Sequence, residues 1–397
     1  MDIAMVRLGA GPLVAPGDSG SFGGAEVRAW TFARGLARVD AMRVMLVIRS
    51  ASEELPELRD GVRLVRVGDL TERSARISAW SRPIRRWLRK AGDSVHRRFS
   101  SEPLPFRDAR ELNPHVWIAV GMQDPAAAIV RRARQRGQRS VVLLTSDEDA
   151  FRALGSREPA TAGLRRYRYA LLRSDLVVAQ TEFQKELLAE AGQRAVLIRN
   201  PIELPSNPWS VTPLDARDYV LWVGRADTDS KRADLLAELA ARCPQVRFLA
   251  IMNPLTPRRG VRPVSIQLPA NVAVIPQVAF GEMDRYFARA RALVNTSDSE
   301  GFPNTFLQAA RHGVPILSRR VDPDFALTRH GIGFTANDQM DRLAEMVRQL
   351  QSTPAAFQQV SEAAITYVRR FHEASARVAE LQQALRTLVE CRNHAAA

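Results

Sequence analysis

The sequence has few cysteines, few lysines and no long apolar runs. Its two cysteines, Cys243 and Cys391, lie far apart and lack the spacing of a metal site. This predicts a reducing compartment and no disulfide framework. No apolar run reaches about eighteen residues, so we expect no transmembrane helix. The first residues also lack the order of a signal peptide, which favours a cytoplasmic protein.

The scarcity of lysine weakens the meaning of the basic charge. Among 397 residues there are three lysines and fifty-four arginines, and the net charge is +14. Such a bias is typical of a GC-rich genome. An acidic partner stays open: a nucleotide, an anionic membrane surface or nucleic acid. The apolar content of 46% and the charged content of 25% are those of a soluble globular protein, and the length predicts two domains.

Short apolar runs alternate with helix-like segments along the chain. Strands are predicted in the first half at residues 3–8, 43–48, 62–67, 115–120, 141–145, 176–179 and 196–198. They are predicted in the second half at residues 219–223, 246–252, 272–275, 292–295 and 316–318. This alternation predicts an α/β fold with a doubly wound parallel sheet in each half. The stretch 354–388 is predicted as a helix.

A proline-rich stretch divides the two halves. Residues 200–213 contain four prolines in fourteen residues. We therefore predict a first domain at 1–200, a linker at 201–213, a second domain at 214–370 and a closing helix at 371–397. Two such domains facing each other leave a cleft at the carboxyl ends of their strands, where ligands bind.

The most informative motif is a loop, helix and strand at residues 297–318. Pro303 suits the first turn of a helix that continues over 305–311. The free amides and the dipole of that helix start suit a phosphate. Glu300 lies at the same mouth, and a carboxylate there is better matched to hydroxyls than to phosphate oxygens. The motif therefore predicts a ligand that combines a sugar with a phosphate.

Two other stretches are candidate phosphate sites. In 223–232, after a predicted strand, Arg225 and Lys231 can both extend into the cleft, and lysine is a compact charge that suits a diphosphate. A surface turn with ordinary charges is the alternative. The glycine-rich stretch 17–26 has the order of a phosphate-binding turn, but it matches neither common glycine motif. A bare glycine turn is the alternative there.

A basic segment at residues 71–100 stands apart from this pattern. It mixes nine arginines and lysines with apolar side chains, of which Ile84, Trp87 and Leu88 share one helical face. It fits a solvated insertion helix that packs on the first domain, or a peripheral contact with anionic lipid. No recognition module accompanies it, so no nucleic-acid partner is expected.

Taken together, these motifs resemble family 4 of the retaining glycosyltransferases, which have the GT-B fold. The resemblance rests on Gly224-Arg225 with Lys231, on Asn200-Pro201 at the domain crossing, and on Glu300-Gly-Phe-Pro-Asn-Thr-Phe-Leu-Gln308. In the first half it rests on Gly23-Gly24-Ala25-Glu26 and on the stretch 174–200. The tail segment Tyr367-Val-Arg-Arg-Phe-His372 resembles the family's closing helix. The resemblance implies two Rossmann-like domains around a cleft, with that helix crossing back to the first domain.

The resemblance also assigns roles to individual residues. Arg225 and Lys231 would hold the donor's diphosphate, with Arg232 as a further candidate because the spacing is one residue longer than expected. Glu300 matches the first acid of the E-x7-E motif, which contacts the donor sugar. The remaining donor-binding residues implied are Gly23, Gly24, Gly301, Phe302, Pro303, Asn304 and Gln308.

Two departures from the family pattern affect the expected site. The second acid of the motif is Gln308 here, where a carboxylate usually binds ribose hydroxyls. The first domain lacks the histidine often found after its middle strands. The stretches 121–124 and 146–149 stand there instead, and their carboxylates suit acceptor hydroxyls or a solvated acidic loop equally well. Three histidines, His312, His330 and His372, are predicted to be structural.

The implied function is a metal-independent, retaining hexosyltransferase without a cofactor. Its donor would be a UDP- or GDP-linked sugar, and its acceptor a glycan or lipid-linked glycan in cell-surface polysaccharide biosynthesis. It would work in the cytoplasm, at the inner face of the membrane if residues 71–100 bind lipid. The alternatives are a sugar-nucleotide epimerase of similar fold and a nucleotide-sugar-binding protein without turnover.

Overall fold

The computed structural model describes most of the chain. The described residues are 1–15, 18, 22–52, 55–67, 112–121, 125–155, 161–205, 212–253, 266–352 and 354–395. The basic segment 71–100, residues 122–124 and residues 206–211 of the predicted linker lie outside them, as does most of 16–21. The membrane contact considered for 71–100 therefore stays a prediction.

The first half forms an eight-stranded sheet flanked by helices. Its strands are β1 (Asp2–Val6), β2 (Arg43–Arg49), β3 (Leu58–Arg59), β4 (Val62–Val67), β5 (Val116–Val120), β6 (Arg139–Leu143), β7 (Leu176–Ala179) and β8 (Ala195–Leu197). Their order is β3-β4-β2-β1-β5-β6-β7-β8, and every pairing is parallel except that of β3 with β4. The helices are α1 (Gly11–Val14), α2 (Gly24–Ala37), α3 (Ala126–Gln135), α4 (Asp147–Leu154), α5 (Ala162–Arg173) and α6 (Glu182–Glu190).

The second half forms a six-stranded parallel sheet in the order β11-β10-β9-β12-β13-β14. Its strands are β9 (Tyr219–Arg225), β10 (Phe248–Asn253), β11 (Val272–Ile275), β12 (Ala290–Asn295), β13 (Ile316–Ser318) and β14 (Gly333–Thr335). The helices are α7 (Ala233–Arg242), α8 (Met283–Ala288), α9 (Asn304–Arg311), α10 (Ala326–His330), α11 (Met340–Ser352), α12 (Pro354–His372) and α13 (Ala374–Ala395). Short 3₁₀ turns cover Leu8–Ala10, Leu214–Ala216, Phe280–Glu282 and Pro323–Phe325.

Each sheet is covered on both faces, which explains its continuous apolar strands. All five residues of β5 are buried, because helices pack above and below a parallel sheet. Trp117 belongs to the core on one face and Ile118 to the core on the other. The predicted α/β architecture with two doubly wound sheets is confirmed.

The structure corrects the predicted boundaries at several elements. The first strand ends at Val6 instead of residue 8, and the short strands β3 and β14 were not predicted. The tail predicted as one helix is two helices separated at Glu373. The reason is a backbone pairing with Ile202, whose N–H donates to the His372 carbonyl at 2.8 Å. The Ile202 carbonyl in turn accepts from the Ala374 N–H at 3.0 Å. The chain therefore leaves helical geometry at Glu373.

Helix α13 returns to the first sheet and completes its core. Val378, Leu381 and Leu385 are buried in the same cluster as Phe32 and Leu36 of α2. The two helices approach closely at Gly35, where a Cβ would overlap the side chain of Val378. The predicted crossing of the closing helix to the first domain is therefore present.

Candidate functional site

The two sheets face each other across a cleft at the carboxyl ends of their strands. The cleft has a volume of about 520 Å³ and is lined by residues of both halves. Its lining includes all ten residues that the sequence predicts for the site: Gly23, Gly24, Arg225, Lys231, Glu300, Gly301, Phe302, Pro303, Asn304 and Gln308. The structure brings these residues together, although they come from three distant segments.

The first wall of the cleft is the start of α2. Gly23 is the N-cap residue in an extended conformation, and its N–H donates to Glu26 Oε2 at 2.8 Å. The same carboxylate forms an ion pair with Arg7 at 2.5 Å, directly after β1. A residue at the third helical position that accepts from the N-cap amide fixes the helix start. The glycine loop is therefore held in place beside the cleft.

The opposite wall is the turn that follows β9. Asp227 Oδ1 accepts hydrogen bonds from the backbone N–H groups of Ser230 at 3.0 Å and Lys231 at 2.6 Å. Its other oxygen, Oδ2, pairs with Arg225 Nε at 3.2 Å. A single buried carboxylate thus folds the turn so that both predicted cations reach the cleft.

Lys231 and Glu300 form an ion pair at the floor of the site. The ammonium contacts Glu300 Oε1, and Ser297 Oγ donates to the same oxygen at 2.8 Å. Both side chains are partly buried, with 27% and 16% of their surfaces exposed. The sequence predicts a Glu300 that is free to face hydroxyls, whereas here its carboxylate is paired with the nearest cation. A partly buried carboxylate gains from such a pairing because the low-dielectric surroundings strengthen it.

Helix α9 begins one residue later than the motif suggests. Pro303 is the N-cap residue with φ −62° and ψ 124°, and the helix starts at Asn304. Asn304 Nδ2 donates to the Gly24 carbonyl at 2.8 Å, which joins the two halves across the cleft. Asn200 Nδ2 donates to the Phe302 carbonyl at 3.0 Å and to Asn304 Oδ1 at 3.1 Å. The loop 300–304 is therefore tied to both domains.

Two predicted residues, Gln308 on α9 and Phe302 in the loop, are buried. Gln308 is 9% exposed on the cleft face of α9, as the spacing from Asn304 predicts. Phe302 packs on His372, with the ring centroids 4.7 Å apart. His372 is buried, and its Nδ1 lies 2.8 Å from the Asn200 carbonyl. Burial lowers the pKa of His372 to about 3, so the ring is neutral, in agreement with the structural role predicted for it.

Arg232, the further candidate beside Lys231, makes its ion pairs outside the cleft lining. It is the N-cap residue of α7 in the left-handed region, with φ 55°. Its guanidinium pairs with Asp234 at 2.8 Å and Asp298 at 3.4 Å, and it is absent from the cleft lining. Of these two adjacent cations, Lys231 lines the cleft and Arg232 does not, because the left-handed backbone at Arg232 directs the two side chains differently.

The acidic stretch 146–149 does not line the cleft. Ser146 caps α4 by accepting from the Asp149 N–H at 3.1 Å. Asp147 Oδ1 accepts from Gln184 Nε2 at 2.7 Å and from Thr181 Oγ1 at 3.1 Å. Asp147 therefore holds α4 against the start of α6, and the acceptor-binding role considered for this stretch finds no support.

Asp147 makes stability depend on pH. Burial raises the pKa of its carboxyl to about 6, with Asp324 and Glu300 adding to the effect. The folded chain thus holds this proton more tightly than the unfolded chain. The resulting stabilisation is complete below about pH 4 and is lost as the pH rises through about 6.

We expect Asp147→Asn to stabilise the protein at about pH 8 by roughly 1–3 kcal/mol and to change little at about pH 4. The amide keeps the acceptor for Thr181 and Gln184 but removes the buried charge. Urea unfolding at both pH values measures this. The exposed Asp40→Asn is the control, and equal gains at both pH values would contradict the assignment.

Several residues that line the cleft were not predicted from the sequence. Arg28 donates to the carbonyls of Leu144 and Ile198, and its burial lowers the pKa to about 9. Arg7, Thr145 and Gln180 also line the cleft. Arg7 and Gln180 directly follow β1 and β7, and Thr145 lies just beyond β6. The rule that ligands bind beyond the carboxyl ends of parallel strands is the signal that identifies them.

Within the described ranges, every helix is too short or too polar to cross a bilayer. The same ranges contain no cluster of three or more His, Cys, Asp or Glu side chains suited to a metal ion.

Known structures share this architecture over nearly the whole chain. Sucrose-phosphate synthase from Thermosynechococcus elongatus has a TM-score of 0.74 at 16% identity, covering 98% of this chain and 99% of its own. Anabaena HepE in complex with UDP and glucose has a TM-score of 0.68 at 15% identity, with 96% and 98% covered. The lipopolysaccharide outer core galactosyltransferase WaaB has a TM-score of 0.58 at 14% identity, with 98% and 99% covered. These likenesses establish the fold.

Family models match both halves of the chain. The model described as Glycosyltransferase Family 4 matches residues 22–205, and the model described as Glycosyl transferases group 1 matches residues 217–353. The two matches are separated only by residues 206–216 and include both walls of the cleft. The chain is therefore a glycosyltransferase of the family 4 type with the GT-B fold.

Proposed function

We propose that this glycosyltransferase moves a hexose from a nucleotide-diphosphate sugar to a glycan or lipid-linked glycan, with retention of the anomeric configuration. The observation that carries the proposal is the cleft in which Lys231, Arg225 and Glu300 converge from two loops. Two cations and one carboxylate, flanked by a helix start, suit a ligand that is a diphosphate at one end and a polyol at the other.

The diphosphate would bind between the turn after β9 and the start of α9. Lys231 can exchange its contact with Glu300 for a contact with phosphate oxygens, because the two side chains keep 27% and 16% of their surfaces exposed. Arg225 is 48% exposed and can turn from Asp227 toward the same ligand. Fixed cations there stabilise the charge that builds on the departing diphosphate, and no metal ion is needed for that purpose.

Glu300 would then accept hydrogen bonds from sugar hydroxyls. Once Lys231 turns to phosphate, the carboxylate keeps the Ser297 hydroxyl as a partner and has its second oxygen available. The amides of the loop 301–304 lie at the same mouth of the cleft. This division of roles places the sugar between Glu300 and the first domain.

The nucleotide end would contact Gln308. A neutral amide both donates to and accepts from ribose hydroxyls, where a carboxylate only accepts. HepE binds UDP and glucose in a structure of the same fold, which supports a nucleotide sugar as the donor here. We propose a UDP- or GDP-linked donor, and the HepE complex supports the UDP-linked form.

In the transfer, the bond between the anomeric carbon and the diphosphate oxygen breaks as the acceptor oxygen bonds to that carbon. The acceptor proton passes to the departing diphosphate oxygen, so charge and atoms balance. The contribution of the protein is to fix the donor and to stabilise the departing charge. A role in cell-surface polysaccharide synthesis follows from a glycan acceptor of this kind.

The test is incubation of the purified chain with a panel of UDP- and GDP-linked hexoses, with nucleotide release and sugar products measured. We expect nucleotide release with at least one donor, stimulated by a glycan acceptor, and an α-linked product from an α-linked donor. Tight nucleotide binding without release would favour a binding protein. Conversion of the donor to an epimer without transfer would favour the epimerase.

A further inference from the structure

Gln180 has a buried side-chain nitrogen that the described residues leave without a hydrogen-bond partner. The residue follows β7, lines the cleft and is 2% exposed. Its side-chain Nε2 has no hydrogen-bond partner within the part of the chain that the structure describes. A buried donor without an acceptor costs stability. Such a donor is therefore explained when a bound ligand supplies the missing acceptor.

The unpaired amide points at the sugar end of the proposed donor site. A Cβ on Gly301 would overlap Gln180 Nε2, and it would lie 3.2 Å from the Thr145 carbonyl. Gly301 directly follows Glu300, the acid proposed to bind sugar hydroxyls. The amide therefore reaches the loop 300–304 from the opposite domain and occupies the space that a Cβ at position 301 would fill.

The backbone around Gln180 is held rigidly. Its own N–H donates to Gln184 Oε1 at 2.9 Å, and Gln184 Nε2 donates to Asp147 Oδ1 at 2.7 Å. Thr181 caps α6 by accepting from the Gln184 N–H at 3.2 Å. These bonds fix the backbone of Gln180 and do not use its side-chain Nε2. A ligand-binding group is expected to be supported in this way.

We propose that Gln180 donates a hydrogen bond from Nε2 to a hydroxyl of the transferred sugar and thereby contributes to the choice of that sugar. The inference rests on the proposed function. A neutral donor matches a hydroxyl oxygen, whereas phosphate oxygens are matched by Arg225 and Lys231. A site built around such a bond discriminates against sugars that lack the hydroxyl, because the amide is then buried unpaired.

The test compares nucleotide-sugar binding with nucleotide binding in Gln180→Met. Calorimetry measures the dissociation constants of UDP-glucose, GDP-mannose, UDP and GDP for the wild type and the variant without acceptor. For the nucleotide sugar that the wild type binds, we expect affinity to fall by about tenfold or more, with the matching nucleoside diphosphate bound as before. The melting temperature should stay equal or rise, because methionine removes the unpaired donor.

Gln138→Met is the matched control. Gln138 has both ends of its amide paired, with Trp117 Nε1 at 2.8 Å and Asn113 Oδ1 at 2.8 Å. It lies just before β6, at the opposite edge of the sheet from the cleft. This variant should show the reverse pattern, with a lower melting temperature and unchanged binding.

Unchanged nucleotide-sugar affinity in Gln180→Met overturns the proposal, and so does an equal loss for sugar-linked and free nucleotides. If the wild type binds UDP or GDP but none of the UDP- and GDP-linked hexoses of the activity panel, the proposed function fails first. The wild-type measurement thus separates the two failures.

Discussion

Lys231→Ala should lower the rate of sugar transfer by about 100- to 1000-fold. The ammonium is the cation closest to Glu300 at the floor of the cleft, and the proposed mechanism requires it where charge develops on the diphosphate. Its loss removes that stabilisation and leaves a partly buried carboxylate unpaired beside the phosphates. Steady-state kinetics with the donor identified by the panel measures the effect, and most of it should appear in kcat.

The chain supplies a matched control for this substitution. Lys185 is another of its three lysines, lies on α6, is 48% exposed and pairs with Glu182 at 3.4 Å. Lys185→Ala removes the same charge from the surface and should leave turnover within about twofold. Normal turnover in Lys231→Ala would refute the assignment of the diphosphate site.

Leu381→Ala should destabilise the protein by about 3 kcal/mol. Leu381 is fully buried in α13 and packs in the core of the first sheet together with Phe32 and Leu36. Truncation leaves a cavity between α13 and α2, where the close approach at Gly35 leaves little freedom to collapse. Urea unfolding followed by tryptophan fluorescence measures the loss.

The exposed Gln383→Ala, on the same helix, controls for changes in helix propensity and should change stability by less than about 0.5 kcal/mol. Equal losses for Leu381→Ala and Gln383→Ala would show that α13 contributes little to the first core. A loss confined to Leu381→Ala confirms the docking of the helix.

The fold and the cleft motifs were predictable because local patterns encode them. Apolar runs of strand length gave four strands with their observed bounds, among them Val62–Val67 and Ile316–Ser318. Gly301 and Pro303 predicted the loop 300–304, and they predicted the start of α9 to within one residue. Signals of this kind depend on neighbours in the chain and not on the tertiary structure.

Features that depend on distant contacts could not be predicted in the same way. Whether Lys231 or Arg232 faces the cleft is decided by a left-handed backbone conformation at Arg232, which arginine residues seldom adopt. The break at Glu373 requires Ile202, which belongs to the segment that crosses between the domains. The buried state of Asp147 depends on Gln184 and Thr181 of another βα unit.

The docking of α13 on α2 constrains the order in which the chain can fold during synthesis. The core of the first sheet receives Val378, Leu381 and Leu385 only after the entire second sheet has left the ribosome. Until then, an apolar face of α2 stays uncovered, a state that favours association with chaperones or aggregation. The first domain is therefore completed last, and fragments that stop before residue 374 should be poorly soluble even though they contain all eight strands of the first sheet.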